Sequence, residues 1–300
     1  MKLLLVGGTG FIGKSIIDAF NRGHLKKFQI KKIIILSRNP NILKKLPINL
    51  KNISLIKSNI SKTKKLPKCN YAIYLAENST NAILRHRDQL KHKNNINNFC
   101  SIVKKIKNIK ILYCSSGSVY DYLKIKKGLS IYKKNYSKLK LYSENKIISL
   151  SKQKIKTSIA RSFTFVGPWL PRNAHYAIGN FLQSAYKKKN ITVKSNKNII
   201  RSYMYADDMV SWLLTILKNS NHDCPIYNVG SDKKINIINV AKMIGRIFNK
   251  PVKITFSNRE KTDSYVPNIN RSKKDLKLKI NYSLLESINL TINHINEKIN

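Results

Sequence analysis

The sequence predicts an α/β fold, a doubly wound parallel sheet followed by a smaller C-terminal α/β lobe. Three observations support it. Through the first half, short apolar runs alternate with helix-like stretches, the pattern of a parallel sheet covered on both faces. The first run, "LLLV", leads straight into a loop with glycine at positions 7, 8, 10 and 13, and then into a helical pattern. The length of 300 residues suits one large domain, or two lobes sharing a cleft.

Taken in order, strands are expected at 2–7, 31–37 ("KKIIILS"), 53–58, 71–76 ("YAIYLA"), 109–116 ("IKILYCSS") and 157–163. Helices are expected between them at 12–22, 81–107 and 136–152. The second half is less regular. It offers a helix at 178–188, a strand near 191–194, the segment "RSYMYADD" at 201–208, and helices at 208–218, 236–249 and 283–298. A lobe change is expected near residue 165, giving lobes 1–165 and 166–300, with later segments free to return to the first.

Hydrophobic content of 42% is enough for a sizeable core. No apolar run approaches the ~18 residues of a membrane span. The opening run is short and lacks a small-residue cleavage site, so a signal peptide is not expected and the reading is cytoplasmic. Cys69, Cys100, Cys114 and Cys224 show no close metal-ligand spacing and read as reduced thiols, with no metal site. The net charge of +44 raises a nucleic-acid reading. Against it, the cations are 48 Lys and only 10 Arg, and they are scattered along the whole chain. Base-edge recognition leans on the arginine fork. A drifted basic surface is the preferred reading, with weak binding to polyanions as its consequence; no specific nucleic acid and no membrane is expected as a partner.

A strand, then Gly7, Gly10 and Gly13, then a helix, is the context of a dinucleotide fingerprint. The first glycine permits a tight turn, the second lets backbone approach a pyrophosphate, and the third lets helix and strand pack closely. This predicts a Rossmann-type NAD(P)-binding lobe. An NAD site usually carries an acidic residue about 20 residues after the loop. Here none occurs between Asp18 and Glu77, and the second strand ends in Ser37 and Arg38. A hydroxyl and a guanidinium there suit the extra phosphate of NADP, so the cofactor reading leans to NADP.

Ser116 ends the fifth strand, and Tyr136 and Lys140 lie four apart on one helix face. Tyrosine has a pKa near ~10, too high for proton transfer at neutral pH. A lysine ammonium one turn away favours the phenolate, and can also bond the nicotinamide ribose. Ser116 would hold a substrate oxygen beside the tyrosine, which passes a proton while the nicotinamide passes a hydride. Tyr142 and Lys146 repeat the same spacing, so context must choose between the pairs.

That context resembles the extended short-chain dehydrogenase/reductase family, in its NAD(P)-dependent nucleotide-sugar epimerase/dehydratase group. Its motifs are matched by Gly7, Gly10 and Gly13; by Ser115, Ser116, Val119 and Tyr120; and by Tyr136, Lys140, Leu141 and Glu144. Leu141 and Glu144 fix the register and exclude the Tyr142 pair. Further matches are "LAENS" 75–79, "RSFTFVGPWLP" 161–171, "AIGNF" 177–181, "IRSYMYADDM" 200–209, "YNVGS" 227–231 and "RSKKDLKL" 271–278. The resemblance implies Ser116, Tyr136 and Lys140 as the catalytic triad. It adds Phe11, Ile12, Asn59, Leu75 and Ala76 to the cofactor contacts. It implies Arg201 on a substrate diphosphate, with pairing to Asp207 or Asp208 as the competing role, and Asn180 and His175 beside the sugar. The partner implied is a nucleoside-diphosphate sugar, and a homodimer is compatible with it.

Departures from the family pattern are Asn59 for Asp, Asp121 for Gly, Ser195–Asn196–Lys197 for Gly-Asp-Gly, and a shortened loop before Tyr136. The Asp-Glu pair that dehydratases carry is replaced by Gly117 and Ser118. The reading is therefore an epimerase or keto-sugar reductase. The rival is a non-catalytic dinucleotide-binding protein, RNA-associated in view of the charge, which would not need the tyrosine–lysine pair.

Overall fold

Strand β1, Lys2–Val6, is exposed only at Lys2, and Leu3 to Val6 are buried. Strand β2, Lys32–Ser37, repeats that pattern. Continuous apolar runs of this kind belong to parallel strands covered on both faces. The computed structural model describes residues 1–77, 86–124, 130–172, 174, 176–195, 197–255 and 262–297. The chain divides into two units, Met1–Ser162 with Val210–Asn228, and Phe163–Met209 with Val229–Asn300.

The first unit is built on a seven-stranded sheet. Its remaining strands are β3 (Ile53–Lys57), β4 (Tyr71–Tyr74), β5 (Lys110–Ser116), β6 (Lys156–Ser162) and a seventh at Ile226–Val229. The strands run in the order β3-β2-β1-β4-β5-β6 and then the seventh. β1 to β6 pair in parallel, with Val6 opposite both Leu36 and Tyr74. The order therefore turns back between β1 and β4, the switch point outside which open α/β sheets bind ligands.

Helices α1 (Phe11–Asn21), α2 (His86–Val103), α3 (Ser118–Lys124) and α4 (Ile131–Ser151) connect these strands. One core cluster joins Val6, Tyr74 and Tyr113 of the sheet to Phe99 of α2 and Ile147 of α4. The Tyr74 ring lies 4.9 Å from Phe99 and 6.0 Å from Tyr113.

Several boundaries differ from the sequence reading. β4 stops at Tyr74 rather than residue 76, because the Glu77 amide bonds the Leu75 carbonyl and turns the chain. α4 begins at Ile131, five residues before the expected start at 136, because the Ser130 hydroxyl accepts the Lys133 amide and caps it. α2 covers His86–Val103 of the expected 81–107; residues 81–85 lie outside the described residues. The short α3 and the seventh strand were not expected; neither carries a long apolar period.

In the second unit, helices Ala177–Tyr186, Ile237–Ile247 and Leu284–Asn296 accompany three small sheets. One of these pairs Asn198–Arg201 with Thr262–Tyr265 in parallel. Ser283 and Glu286 form a capping box at the start of the last helix. The segment 201–208 divides into the end of one strand, the short strand Met204–Tyr205 and the start of helix Ala206–Lys218.

Candidate active site

The glycine loop follows β1 at the switch point. Gly7 has φ +87°, and a Cβ there would stand 2.5 Å from the Ala76 Cα, so the two loops after β1 and β4 meet in a way only glycine allows. At Gly13 a Cβ would stand 2.1 Å from the Gly8 carbonyl oxygen, which lets α1 close against the loop. Gly10 differs: it caps α1 without a side chain, and a Cβ there would meet nothing within 4 Å. The open space belongs to a cavity of about 240 Å³. Gly7, Thr9 and Gly10 form one wall, Ser37, Arg38 and Asn59 another, and Leu75, Ala76 and Glu77 a third. Thr9 and Ser37 share a hydroxyl–hydroxyl bond of 3.3 Å. The expected residues Gly7, Gly10, Ser37, Arg38, Asn59, Leu75 and Ala76 are thus brought together. Phe11, Ile12 and Gly13 lie in the first turn of α1 and do not line the cavity.

Ser116 ends β5 opposite Ser162, and its hydroxyl accepts the Ser118 amide at 3.2 Å. Helix α4 is tied to this strand end. Ser137, next to Tyr136, donates to the Ser118 carbonyl at 2.8 Å. Ser115 donates to Glu144 at 2.5 Å, and Arg161 of β6 holds the same carboxylate through two bonds of 3.0 and 2.7 Å. Bidentate pairs of this kind fix orientation as well as position. Arg161 also lies 4.6 Å from the Tyr120 ring, whose hydroxyl donates to Asn228 at 3.0 Å.

The buried Lys140 points at the same region. Its ammonium donates to the Cys114 carbonyl at 3.2 Å, pairs with Glu77, and stands 5.5 Å from the centre of the Tyr136 ring. Burial lowers its pKa to about 7, the Glu144 carboxylate opposing the fall. The Glu77 carboxylate in direct contact also favours the ammonium. The second candidate pair faces elsewhere: Tyr142 donates to Asn97 of α2 at 2.8 Å, with Lys146 5.4 Å from its ring.

In the second unit, Asn180 donates to the Ala174 carbonyl at 2.9 Å. Arg201 pairs with Asp263 at 3.0 Å and with the Asp263 carbonyl at 2.8 Å. The acidic partner is therefore neither Asp207 nor Asp208; the parallel pairing of the two strands sets Asp263 beside it, and Asp208 instead takes Asn281 and Tyr282. His175 lies outside the described residues. Sequence reasoning did not single out Glu77 or Tyr113. The available signal was that Glu77 is the first carboxylate after Asp18 and falls at a strand end.

The model of the NAD dependent epimerase/dehydratase family matches residues 3–230. UDP-glucuronic acid decarboxylase 3 of Arabidopsis thaliana is 22% identical over 291 residues, covering 92% of this chain and 83% of its own. The dTDP-D-glucose 4,6-dehydratase of Dictyostelium discoideum is 27% identical over 278 residues, covering 81% of this chain and 61% of its own. The structure of the Bordetella bronchiseptica enzyme WbmF in complex with NAD+ and UDP superposes with a TM-score of 0.79 at 16% identity, over 99% of this chain and 93% of that one. A family match over most of the chain, on a sheet whose glycine loop sits at its switch point, means that the chain belongs to the NAD dependent epimerase/dehydratase family.

Proposed function

We propose that the protein is an NAD(P)-dependent nucleotide-sugar oxidoreductase, an epimerase or keto-sugar reductase. Its triad is Ser116, Tyr136 and Lys140. The observation behind this reading is the Lys140 ammonium beside the Tyr136 ring, on a helix tied through Ser137 to the strand end that bears Ser116. The relatives support the substrate class, since they are named as enzymes of UDP- and dTDP-sugars.

The cavity residues suit a dinucleotide. Gly10 leaves room for a pyrophosphate at the start of α1, where a helix N-terminus favours anions. No carboxylate of the β2 end lines the cavity, and Ser37 and Arg38 do. This supports NADP over NAD, although the WbmF structure holds NAD+.

When bound, the nicotinamide supplies the hydride acceptor or donor. Ser116 orients the reacting sugar oxygen, and Tyr136 accepts or returns its proton. Lys140 favours the phenolate form of Tyr136; with Cys114 and Glu77 taking two of its three donors, one serves a ribose hydroxyl. Gly117 and Ser118 follow Ser116, so no acid/base pair for eliminating water stands there.

The test is a panel of UDP- and dTDP-sugars assayed with NAD(P)(H) by product chromatography. Tyr136→Phe should cut turnover at least ~100-fold while leaving dinucleotide affinity within a factor of about two. Unchanged turnover in Tyr136→Phe with loss in Tyr142→Phe would overturn the assignment. Calorimetric titration should show NADPH binding roughly tenfold tighter than NADH.

A further inference from the structure

A largely buried carboxylate at the edge of a dinucleotide cavity needs a reason, since an anion there faces the pyrophosphate's own charge. Glu77 is such a group. It follows β4, lines the cavity beside Ala76, and its side chain is only 11% exposed. One of its oxygens accepts the Tyr113 hydroxyl and the other pairs with Lys140.

The groups around Lys140 show what this carboxylate does. From β5 come Tyr113 and Cys114; burial holds the Tyr113 phenol well above its ordinary pKa and pushes the Cys114 thiol up to about 12. Both are neutral at working pH. From α4 come Tyr136 and Glu144. Glu144 is already held by two bonds to Arg161 and one to Ser115. From α2, His92 bonds Ser143 and the Leu139 backbone of α4, and burial lowers its pKa to about 4. Of the ionised groups, only Glu77 is in direct contact with Lys140 and shared with no other cation among the described residues.

We propose that Glu77 is a positioning residue for Lys140. Held in place by the Tyr113 hydroxyl, its carboxylate keeps the buried lysine in the ammonium form, able to bond a ribose hydroxyl and to favour the Tyr136 phenolate. The first part stands on the ion pair alone; the consequence for the cofactor rests on the function proposed above. Without Glu77, burial acts on Lys140 against the Glu144 charge alone, and Glu144 is already held by Arg161. The lysine then loses its proton at lower pH, and its two roles are lost with it on the alkaline side.

Two readouts on the full chain separate these parts. The first is acylation of Lys140 by an amine-reactive ester, followed by peptide mass spectrometry from pH 6 to 10. Only the neutral amine reacts, so the profile reports the proton on Lys140 without cofactor or substrate. Glu77→Gln, which keeps the shape, should reach half-maximal rate at a pH about one unit lower, a tenfold change in the neutral fraction at fixed pH. Glu77→Asp should recover part of the difference. Tyr113→Phe, which loosens the carboxylate but keeps its charge, should move the midpoint less. The second readout is NADH and NADPH affinity by calorimetry over the same range. In Glu77→Gln it should fall about tenfold on the alkaline side and come within a factor of about two of wild type near pH 6. Coincident acylation midpoints in wild type and Glu77→Gln would overturn the proposal, and if Glu77→Gln does not fold, so would a midpoint in Glu77→Asp identical to wild type. A shifted midpoint with pH-independent affinity would overturn its cofactor part. A shifted midpoint in a protein that binds no dinucleotide at any pH would sustain the pairing and overturn the proposed function instead.

Discussion

Gly10 and Gly13 are three residues apart and face opposite demands. At Gly13 the protein itself fills the place of a side chain, at 2.1 Å from the Gly8 carbonyl oxygen. At Gly10 the protein leaves that place empty, and φ is −84°, a value any residue adopts. On the proposed function, the absence of a side chain at Gly10 serves the dinucleotide and not the fold. Gly10→Val should therefore keep the wild-type unfolding free energy to within about 1 kcal/mol, yet lose dinucleotide binding. A folded Gly10→Val protein that titrates NADPH normally would show that the pyrophosphate lies elsewhere.

At the scale of the element, α4 organises the site, and its contact with α2 makes that arrangement sensitive to acid. His92 of α2 is buried and shares a 2.9 Å bond with Ser143 of α4. Burial lowers its pKa from 6.5 to about 4, its hydrogen bond to the Leu139 carbonyl opposing. The unfolded chain binds this proton at higher pH than the folded one, so the group's stability contribution is complete above about pH 6.5. It falls as pH drops from there toward 4. Between pH 7 and pH 5 the loss is about 2 kcal/mol. Urea unfolding at the two pH values should show this loss in wild type and a smaller one in His92→Gln. Parallel losses in both proteins would mean that other groups govern the acid response. The sequence marked α4 by Tyr136 and Lys140 but not its start, because Ser130 acts through one capping bond that leaves no periodic signal.

For the whole molecule, the net charge of +44 is in part an ordered feature of the sheet. Four strands of the first unit begin with lysine, and register sets Lys2 opposite Lys32 and Lys110 opposite Lys156. These side chains share the strand-start edge, the end away from the glycine loop. The Lys110 pKa is lowered by burial and then by the charges of Lys156 and Lys218. Like charges held together oppose the compact state, and salt screens them. The thermal midpoint should therefore rise between 50 and 500 mM NaCl, by roughly 2–4 °C for each kcal/mol of repulsion relieved. A falling midpoint would mean that attractive pairs outweigh the repulsion. No described helix is long and apolar enough to cross a membrane.

The sequence alone determined the alternation of strands and helices, the glycine loop, and the serine, tyrosine and lysine of the proposed triad. Each is local: apolar runs report burial, glycine reports backbone demand, and a spacing of four reports one helix face. Only the tertiary structure decided which residues meet across strands. Glu77 and Lys140 are 63 positions apart, and parallel register with helix packing, not spacing, sets them in contact. The same holds for Arg201, where the parallel pairing of its strand with Thr262–Tyr265 supplies Asp263 in place of the nearer Asp207 and Asp208. A carboxylate can pair with any cation that the fold brings to it, so its partner is fixed by strand order and register, and these form only when the whole sheet assembles.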